Sequence, residues 1–126
     1  MTVTILVAVF VGGGCGALGR WLCGVAERNI RRDVPRPSDG WGTTAANVLA
    51  CLFLGVVVNA HGPIEGEKMQ ALLAAGLCGG LSTFSSFALE VHAMVAEKRW
   101  RRAFSHVSLN LVGGAVAFAV ASVIVG

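Results

Sequence analysis

The sequence is poor in charged residues: Asp, Glu, Lys and Arg make up only 13% of its 126 residues, whereas 55% are apolar. A soluble domain typically has about 25% charged residues, so this composition excludes an ordinary soluble domain. The mean hydropathy of +0.71 agrees with that conclusion. The few charges fall in clusters that leave four uncharged runs: Met1 to Gly19, Trp41 to Pro63, Met69 to Leu89 and Ala103 to Gly126.

Each uncharged run is long enough to cross a membrane, because a spanning helix needs about 20 mostly apolar residues. The sequence therefore predicts an all-α membrane protein with four transmembrane helices, at about residues 3–24, 42–59, 69–95 and 103–125. Together they form a single domain. Almost nothing is left over for an extramembrane catalytic domain, so we do not expect an enzyme.

Several common motifs are missing. The first run has no basic residues ahead of it and exceeds the ~7–15 apolar residues of a signal peptide, so we expect it to be the first span. The four cysteines form no CxxC pair and are expected to pack as small apolar residues.

Gly14, Gly16 and Gly19 follow a dinucleotide-binding spacing, but the strand that must precede such a site is lacking. Gly12 and Gly16 instead form a GxxxG, which favours close helix packing.

Basic residues are concentrated in the first and third loops, which lie on the same side of a four-span protein: Arg28, Arg31, Arg32, Arg36, Lys98, Arg99, Arg101 and Arg102. The other side has only Lys68, setting aside Arg20 within the first span. Positively charged loops remain cytoplasmic, so both termini are predicted to be extracytoplasmic. These side chains suit lipid headgroups. With a net charge of only +3, no nucleic-acid partner is expected.

Polar residues within membrane spans cost free energy, so each is expected to have a structural or functional role. Arg20 could reach the interface or attract anions at a pore mouth. Asn47 could make an interhelical hydrogen bond or donate to an anion, and Thr43 shares its helix face. His106 and Asn110 share a face of the fourth span, where they could pack or line a wet path. No second ligand is spaced with His106, so metal binding is not expected there.

The third span contains GLCGGLSTFSSF, residues 76–87. Gly79 and Gly80 each weaken a helix by about 1 kcal/mol relative to alanine, and Ser82 and Thr83 compete for its backbone hydrogen bonds. The sequence predicts a break near the centre of this span, from Gly79 to Thr83. Such a break survives in a membrane only when it is buried in protein or lines a cavity.

Two phenylalanines follow the predicted break, Phe84 and Phe87, at helical i,i+3 spacing. An aromatic ring has a positive edge, so two paired edges could attract a small anion. Lipid contact or packing is the alternative.

Three segments, GGGCGALGRW, GTTAANVLACLFLG and CGGLSTFSSF, resemble the motifs of the Fluc (CrcB) family of small bacterial fluoride channels, in order and over nearly the whole chain. The resemblance implies a passive, fluoride-selective channel in the bacterial cell membrane that exports cytoplasmic fluoride and reduces its toxicity. It also implies an antiparallel dimer with two pores and a central structural sodium ion.

The resemblance further implies roles for individual residues. The backbone carbonyls of Gly79 and Ser82 would hold sodium, and Arg20 would be the family's first-span arginine. Glu90 would lie toward one pore end. The fluoride pore would be lined by Asn47, Phe84, Phe87, Ser86, Thr43, His106 and Asn110. The chain has no tyrosine, which often occurs in the family's fourth span. His106 and Asn110 stand in there.

The charge bias bears on the partner subunit. An antiparallel homodimer needs a chain that inserts in both orientations, whereas eight basic loop residues against one favour a single orientation. We therefore expect a heterodimer with a similar subunit of opposite bias. One alternative is a small multidrug-resistance-type exporter, although Met1 to Gly19 lacks the acid on which that class relies. The other is a non-transporting membrane assembly subunit.

Overall fold

The computed structural model describes residues 2–33, 39–62 and 65–126. Arg36, counted above in the first loop, lies outside these residues. Within these described ranges, four helical spans are long and apolar enough to cross a membrane: Thr2–Ile30, Trp41–Asn59, Glu67–Ala96 and Trp100–Val125. The described residues contain no strand. The prediction of an all-α, four-span membrane protein is confirmed, whereas the antiparallel dimer stays a prediction.

We label the first two spans α1 (Thr2–Ile30) and α2 (Trp41–Asn59). The third span consists of α3 (Glu67–Gln70), a π-helical segment (Ala71–Cys78), α4 (Gly79–Leu81) and α5 (Phe84–Ala96). The fourth span is α6 (Trp100–Val125). The first helix continues past the predicted end at Gly24 to Ile30, and its last turn holds Arg28. A basic residue there is favourable beside the negative end of the helix dipole.

The third span is broken, as predicted, but over a shorter stretch. Ser82 (φ −73°, ψ 153°) and Thr83 (φ −150°, ψ 124°) are extended. Gly79, by contrast, is helical (φ −63°, ψ −38°). The expectation that the break begins at Gly79 is therefore wrong. The hydroxyl of Thr83 accepts a hydrogen bond from the Ser86 backbone N–H at 3.2 Å, which caps α5 and fixes where the helix resumes.

Glycines of the third span serve close packing against α1. A Cβ placed on Gly80 would come within 2.9 Å of the Gly13 Cα, and one placed on Gly76 would lie equally close to the Gly12 Cα. A Cβ on Gly16 would lie 2.6 Å from the Leu81 backbone nitrogen. Contacts this short leave no room for a side chain, so the predicted packing role of the GxxxG is confirmed.

The second helix is central, and packs against α1, the third span and α6. Its face toward the core consists of small residues, of which Ala46 and Ala50 are buried against Leu81. Farther along, a Cβ on Gly55 would lie 2.8 Å from the Ala121 Cβ. Small side chains allow α2 to approach three neighbours at once, and this closeness brings its polar residues into contact with the break and with α6.

Candidate ion pathway

Asn47 joins α2 to the break in the third span. Its Oδ1 accepts a hydrogen bond from the Thr83 backbone N–H at 2.8 Å, and its Nδ2 lies 3.4 Å from the Thr83 carbonyl oxygen. The same Nδ2 donates to Asn110 Oδ1 of α6 at 2.8 Å. In the isolated chain, the amide that was predicted to face an anion thus holds the extended backbone in place.

Asn110 extends this polar network along α6. Its Nδ2 donates to Thr44 Oγ1 at 3.0 Å and to the His106 carbonyl oxygen at 2.8 Å. Thr44 Oγ1 lies 3.3 Å from His106 Nδ1. Thr44 was not among the residues chosen from the sequence. Its position three residues before Asn47, on the same helix face, was the signal that could have indicated it.

Glu90 of α5 lies between α2 and α6. Thr43 Oγ1 donates to Glu90 Oε1 at 2.7 Å, and Glu90 Oε2 lies 3.1 Å from His106 Nε2. The His106 side chain is fully buried. Gly40, just before α2, has φ +74°, and a Cβ there would lie 2.8 Å from Glu90 Oε2. Only glycine therefore fits beside this pair.

The two phenylalanines continue from this polar cluster. The Phe87 ring stacks on the His106 ring, with 5.4 Å between centroids and 29° between planes. Phe84 and Phe87 have centroids 6.0 Å apart at 45°. The Phe84 side chain is 80% exposed in the single chain. The rings therefore form a row from the buried histidine to the outer surface of the chain.

The polar residues just described, Thr43, Thr44, Asn47, Glu90, His106 and Asn110, form a polar track. A cavity of about 580 Å³, the vestibule, opens at one end of this track. Arg20, Arg28, Arg31 and Arg32 line it, together with Thr43, Ser86 and Glu90 and with Gly24, Glu27 and Gly42. Four arginines against two glutamates make the cavity net positive, which raises the local concentration of anions. Among the predicted site residues, the fold therefore brings Arg20, Thr43 and Ser86 together in one vestibule.

Ion pairs hold the loops beside the vestibule. Asp39 bonds to Arg99 and lies 2.7 Å from Arg31 Nη1. Burial raises the pKa of the Asp39 carboxyl, but hydrogen bonds and charge from Arg99 and Arg31 outweigh it and leave that pKa below its usual value. Arg102 bonds to the Asp39 carbonyl oxygen and lies over the Trp41 ring at 4.6 Å. The first and third loops are thereby tied together.

Gly79 and Ser82, the predicted sodium residues, lie apart from the vestibule. Both are exposed on the single chain, and the Ser82 hydroxyl lies 3.4 Å from the Gly79 carbonyl oxygen. α4 ends at Leu81, and the carbonyls at the end of a helix point away from it with its negative dipole end. Oxygen donors of this kind suit a hard cation. Two carbonyls do not complete a coordination shell, so the site fits sodium only if a second chain adds ligands.

Comparison with known proteins places this arrangement in a family. The family described as "CrcB-like protein, Camphor Resistance (CrcB)" matches residues 7–123. The chain belongs to the CrcB family. That match extends from α1 to the last turn of α6 and includes every residue of the polar track, so the resemblance seen in the sequence motifs is confirmed.

Individual relatives of the CrcB-family chain carry a more specific name. A protein of Pectobacterium carotovorum named "Fluoride-specific ion channel FluC" is 35% identical over 122 residues, which cover 95% of this chain and 92% of the relative. Proteins with the same name from Serratia proteamaculans and Escherichia coli are each 33% identical. They cover 88% and 86% of this chain, and 85% and 84% of the relatives, respectively. All three relatives are thus named as ion channels.

Proposed function

We propose that this CrcB-family chain is one subunit of a fluoride-selective channel, which lets cytoplasmic fluoride leave the cell passively and so reduces its toxicity. The observation that carries the proposal is the similarity over 95% of the chain to a relative named for fluoride. The process is transport and not catalysis. Hydrogen fluoride enters cells and dissociates in a more alkaline cytoplasm, so an anion channel suffices to empty the cell.

The track of polar groups supports this function physically. Fluoride is small and strongly hydrated, so a pathway must replace its water. The arginine-lined vestibule would collect the anion, and hydroxyls of Thr43 and Ser86 line the same cavity. The edges of Phe84 and Phe87 would supply positive electrostatic potential beyond it. Asn47, Asn110 and His106 would form the rest of the wall.

The single chain leaves the pathway incomplete. The Phe84 side chain is 80% exposed, so a second subunit is needed to enclose it within a pore rather than leave it in lipid. An antiparallel partner would also bring a second set of carbonyls to Gly79 and Ser82, completing a structural sodium site. We propose that this partner is a similar subunit with the opposite charge bias, and that both termini of the present chain are extracytoplasmic.

The alternatives are less well supported. A small multidrug-resistance-type exporter relies on an available acid in its first span. The one acid in α1 is Glu27, and it accepts hydrogen bonds from the backbone N–H groups of Gly42 at 2.9 Å and Trp41 at 3.3 Å. It therefore caps the start of α2. A non-transporting assembly subunit would not require an arginine-lined vestibule.

Fluoride efflux from proteoliposomes, followed with a fluoride electrode, tests the proposal. We expect flux with fluoride and none with chloride. Phe84→Ile removes the aromatic edge and Asn47→Asp places a negative charge in the pathway, so both variants should lose flux. Protein-free liposomes are the control for leakage of hydrogen fluoride. Unchanged flux in Phe84→Ile would contradict the pore assignment, and no fluoride flux with the partner present would contradict the function.

Expression of the chain by itself tests the partner. We expect no functional channel, because an antiparallel pair needs a second chain inserted the other way. If this chain alone yields a purified antiparallel homodimer that conducts fluoride, then the heterodimer is wrong and the channel function stands.

A further inference from the structure

Glu90 and His106 face one another inside the helical bundle. His106 is fully buried, and its Nε2 lies 3.1 Å from Glu90 Oε2. Neither atom has another hydrogen-bond partner among the described residues. Buried polar atoms are almost always paired, and two lone pairs at this distance repel. The pair is therefore satisfied only when a proton lies between Nε2 and Oε2.

The surrounding bonds indicate which protons are already present. Asn110 Nδ2 donates to Thr44 Oγ1, which leaves the Thr44 hydroxyl hydrogen to reach His106 Nδ1 at 3.3 Å. Nδ1 is then an acceptor, and a neutral imidazole carries its hydrogen on Nε2, toward Glu90. With the Glu90 carboxylate ionised, the pair has a net charge of −1. One additional proton makes the pair neutral.

The pair lies where its net charge acts on an anion in the proposed pathway. Glu90 lines the arginine-rich vestibule together with Thr43 and Ser86. His106 stacks on Phe87, the inner ring of the aromatic row. Under the function proposed above, an anion that moves from the vestibule to the ring edges passes this carboxylate. A net charge of −1 there opposes the anion, and a neutral pair does not.

We propose that Glu90 and His106 form a proton-binding site in the wall of the ion pathway, where His106 positions the Glu90 carboxylate and an added proton increases anion flux. The inference rests on the proposed function for its effect on flux, but not for the existence of the proton site. The proton is the ligand of this site, and His106 is a positioning residue as well as a polar wall residue.

Other charged groups act on the pair from each neighbouring helix. The charged groups that act on His106 are Glu27 of α1 and Arg102 of α6. Glu27 also acts on Glu90. On α2 the neighbours are the hydroxyls of Thr43 and Thr44. The vestibule adds four arginines, Arg20, Arg28, Arg31 and Arg32. The titration midpoint therefore belongs to the cluster and not to one residue.

Flux at different pH values is the first test, with the purified channel and any partner subunit that accompanies it. We expect fluoride efflux to fall by about three- to ten-fold as the pH is raised on both sides through the titration midpoint of the pair. His106→Gln keeps a polar side chain but cannot titrate, so its flux should depend little on pH. His92 is exposed on α5, and His92→Gln should retain the wild-type profile. Flux from protein-free liposomes is subtracted at each pH.

Nuclear magnetic resonance of labelled imidazole nitrogens is the second test, and it needs no flux. We expect the His106 signals to titrate, and Glu90→Gln to move their midpoint. If that midpoint does not move, or if His106→Gln conducts with the wild-type pH profile, the proton site is wrong. If the midpoint moves but no preparation conducts fluoride, the proton site stands and the proposed function fails. Should His106→Gln misfold, Glu90→Gln must shift the pH dependence of flux in step with the His106 midpoint, and a flux profile that keeps the wild-type pH dependence overturns the proposal.

Discussion

Asn47 and Thr83 are bonded to each other in both directions. The Thr83 N–H donates to Asn47 Oδ1 at 2.8 Å, and Asn47 Nδ2 lies 3.4 Å from the Thr83 carbonyl oxygen. A broken membrane helix leaves backbone groups that lipid cannot satisfy. One side chain on a neighbouring helix supplies both the acceptor and the donor that the interrupted helix lacks. The break is therefore stabilised by α2 as well as by its own residues.

Asn47→Ala should therefore destabilise the fold. We expect a loss of about 1–3 kcal/mol, the typical cost of leaving a buried polar group without a partner. Thermal unfolding of the detergent-solubilised protein measures the effect. Asn59→Ala is the matched control, because Asn59 bonds to Gly55 and Ser122 at the end of α2, away from the break. Equal stability of Asn47→Ala and wild type would show that Asn47 does not support the break.

The cap on α5 gives a second prediction. Thr83→Val removes the hydroxyl that accepts the Ser86 N–H and should destabilise α5 by about 1 kcal/mol. Thr83→Ser keeps the hydroxyl and should unfold at nearly the wild-type temperature. The two variants are compared by thermal unfolding under identical conditions. A valine variant as stable as the serine variant would contradict the capping role.

Close packing of α1 gives a third prediction. A Cβ on Gly12 would lie 3.0 Å from both the Gly76 Cα and the Leu77 nitrogen, whereas one on Gly14 would meet nothing within 4 Å. Gly12→Ala must separate two backbones, and we expect a cost of about 1–3 kcal/mol. Gly14→Ala should be nearly neutral. Both are measured by the temperature at which monodisperse protein is lost, and similar losses in the two variants would disprove the packing assignment.

The ion pairs of Asp39 are expected to contribute to the stability of the fold, and this contribution should be lost in acid. Its pKa is lower in the folded protein than the ordinary value of 3.8, so the contribution is complete above that value. It is lost as the pH falls through the folded pKa. Because the site is partly exposed, we expect about 1 kcal/mol or less.

Asp39→Asn should be less stable than wild type at neutral pH, and the difference should vanish in strong acid. Unfolding temperatures measured across this pH range test the prediction. Asp33→Asn, at an exposed position, is the control and should show no such convergence. An Asp39→Asn variant whose deficit is the same at every pH would contradict the ion-pair explanation.

The break in the third span was predictable from the sequence only in part. Ser82 and Thr83 mark it because their side chains compete for backbone hydrogen bonds, and that local property is readable from the sequence. The sequence also predicts Gly79 and Gly80 within the break, but both are helical and belong to α4. Whether a glycine loosens a helix or admits a neighbouring backbone depends on what lies beside it, and Gly80 lies against Gly13.

The π-helical segment Ala71–Cys78 was not predicted. Its residues are ordinary helix formers and apolar residues, with no local signature of the wider turn. A π-helical turn adds one residue to the hydrogen-bonded ring, which changes the face that Gly76 and Leu77 present to α1. The partners for that face are more than fifty positions away in the chain, so local pattern does not reveal the shift.

The sequence by itself determined that this chain is an all-α membrane protein with four spans and a break in the third. Those features follow from hydropathy, charge spacing and local hydrogen-bonding competition, which need no distant partner. Only the tertiary structure decided that Asn47 holds Thr83, that Glu90 faces His106, and that the arginines of α1 and its loop line one vestibule. These pairs come from different helices, and helix packing sets which side chains meet.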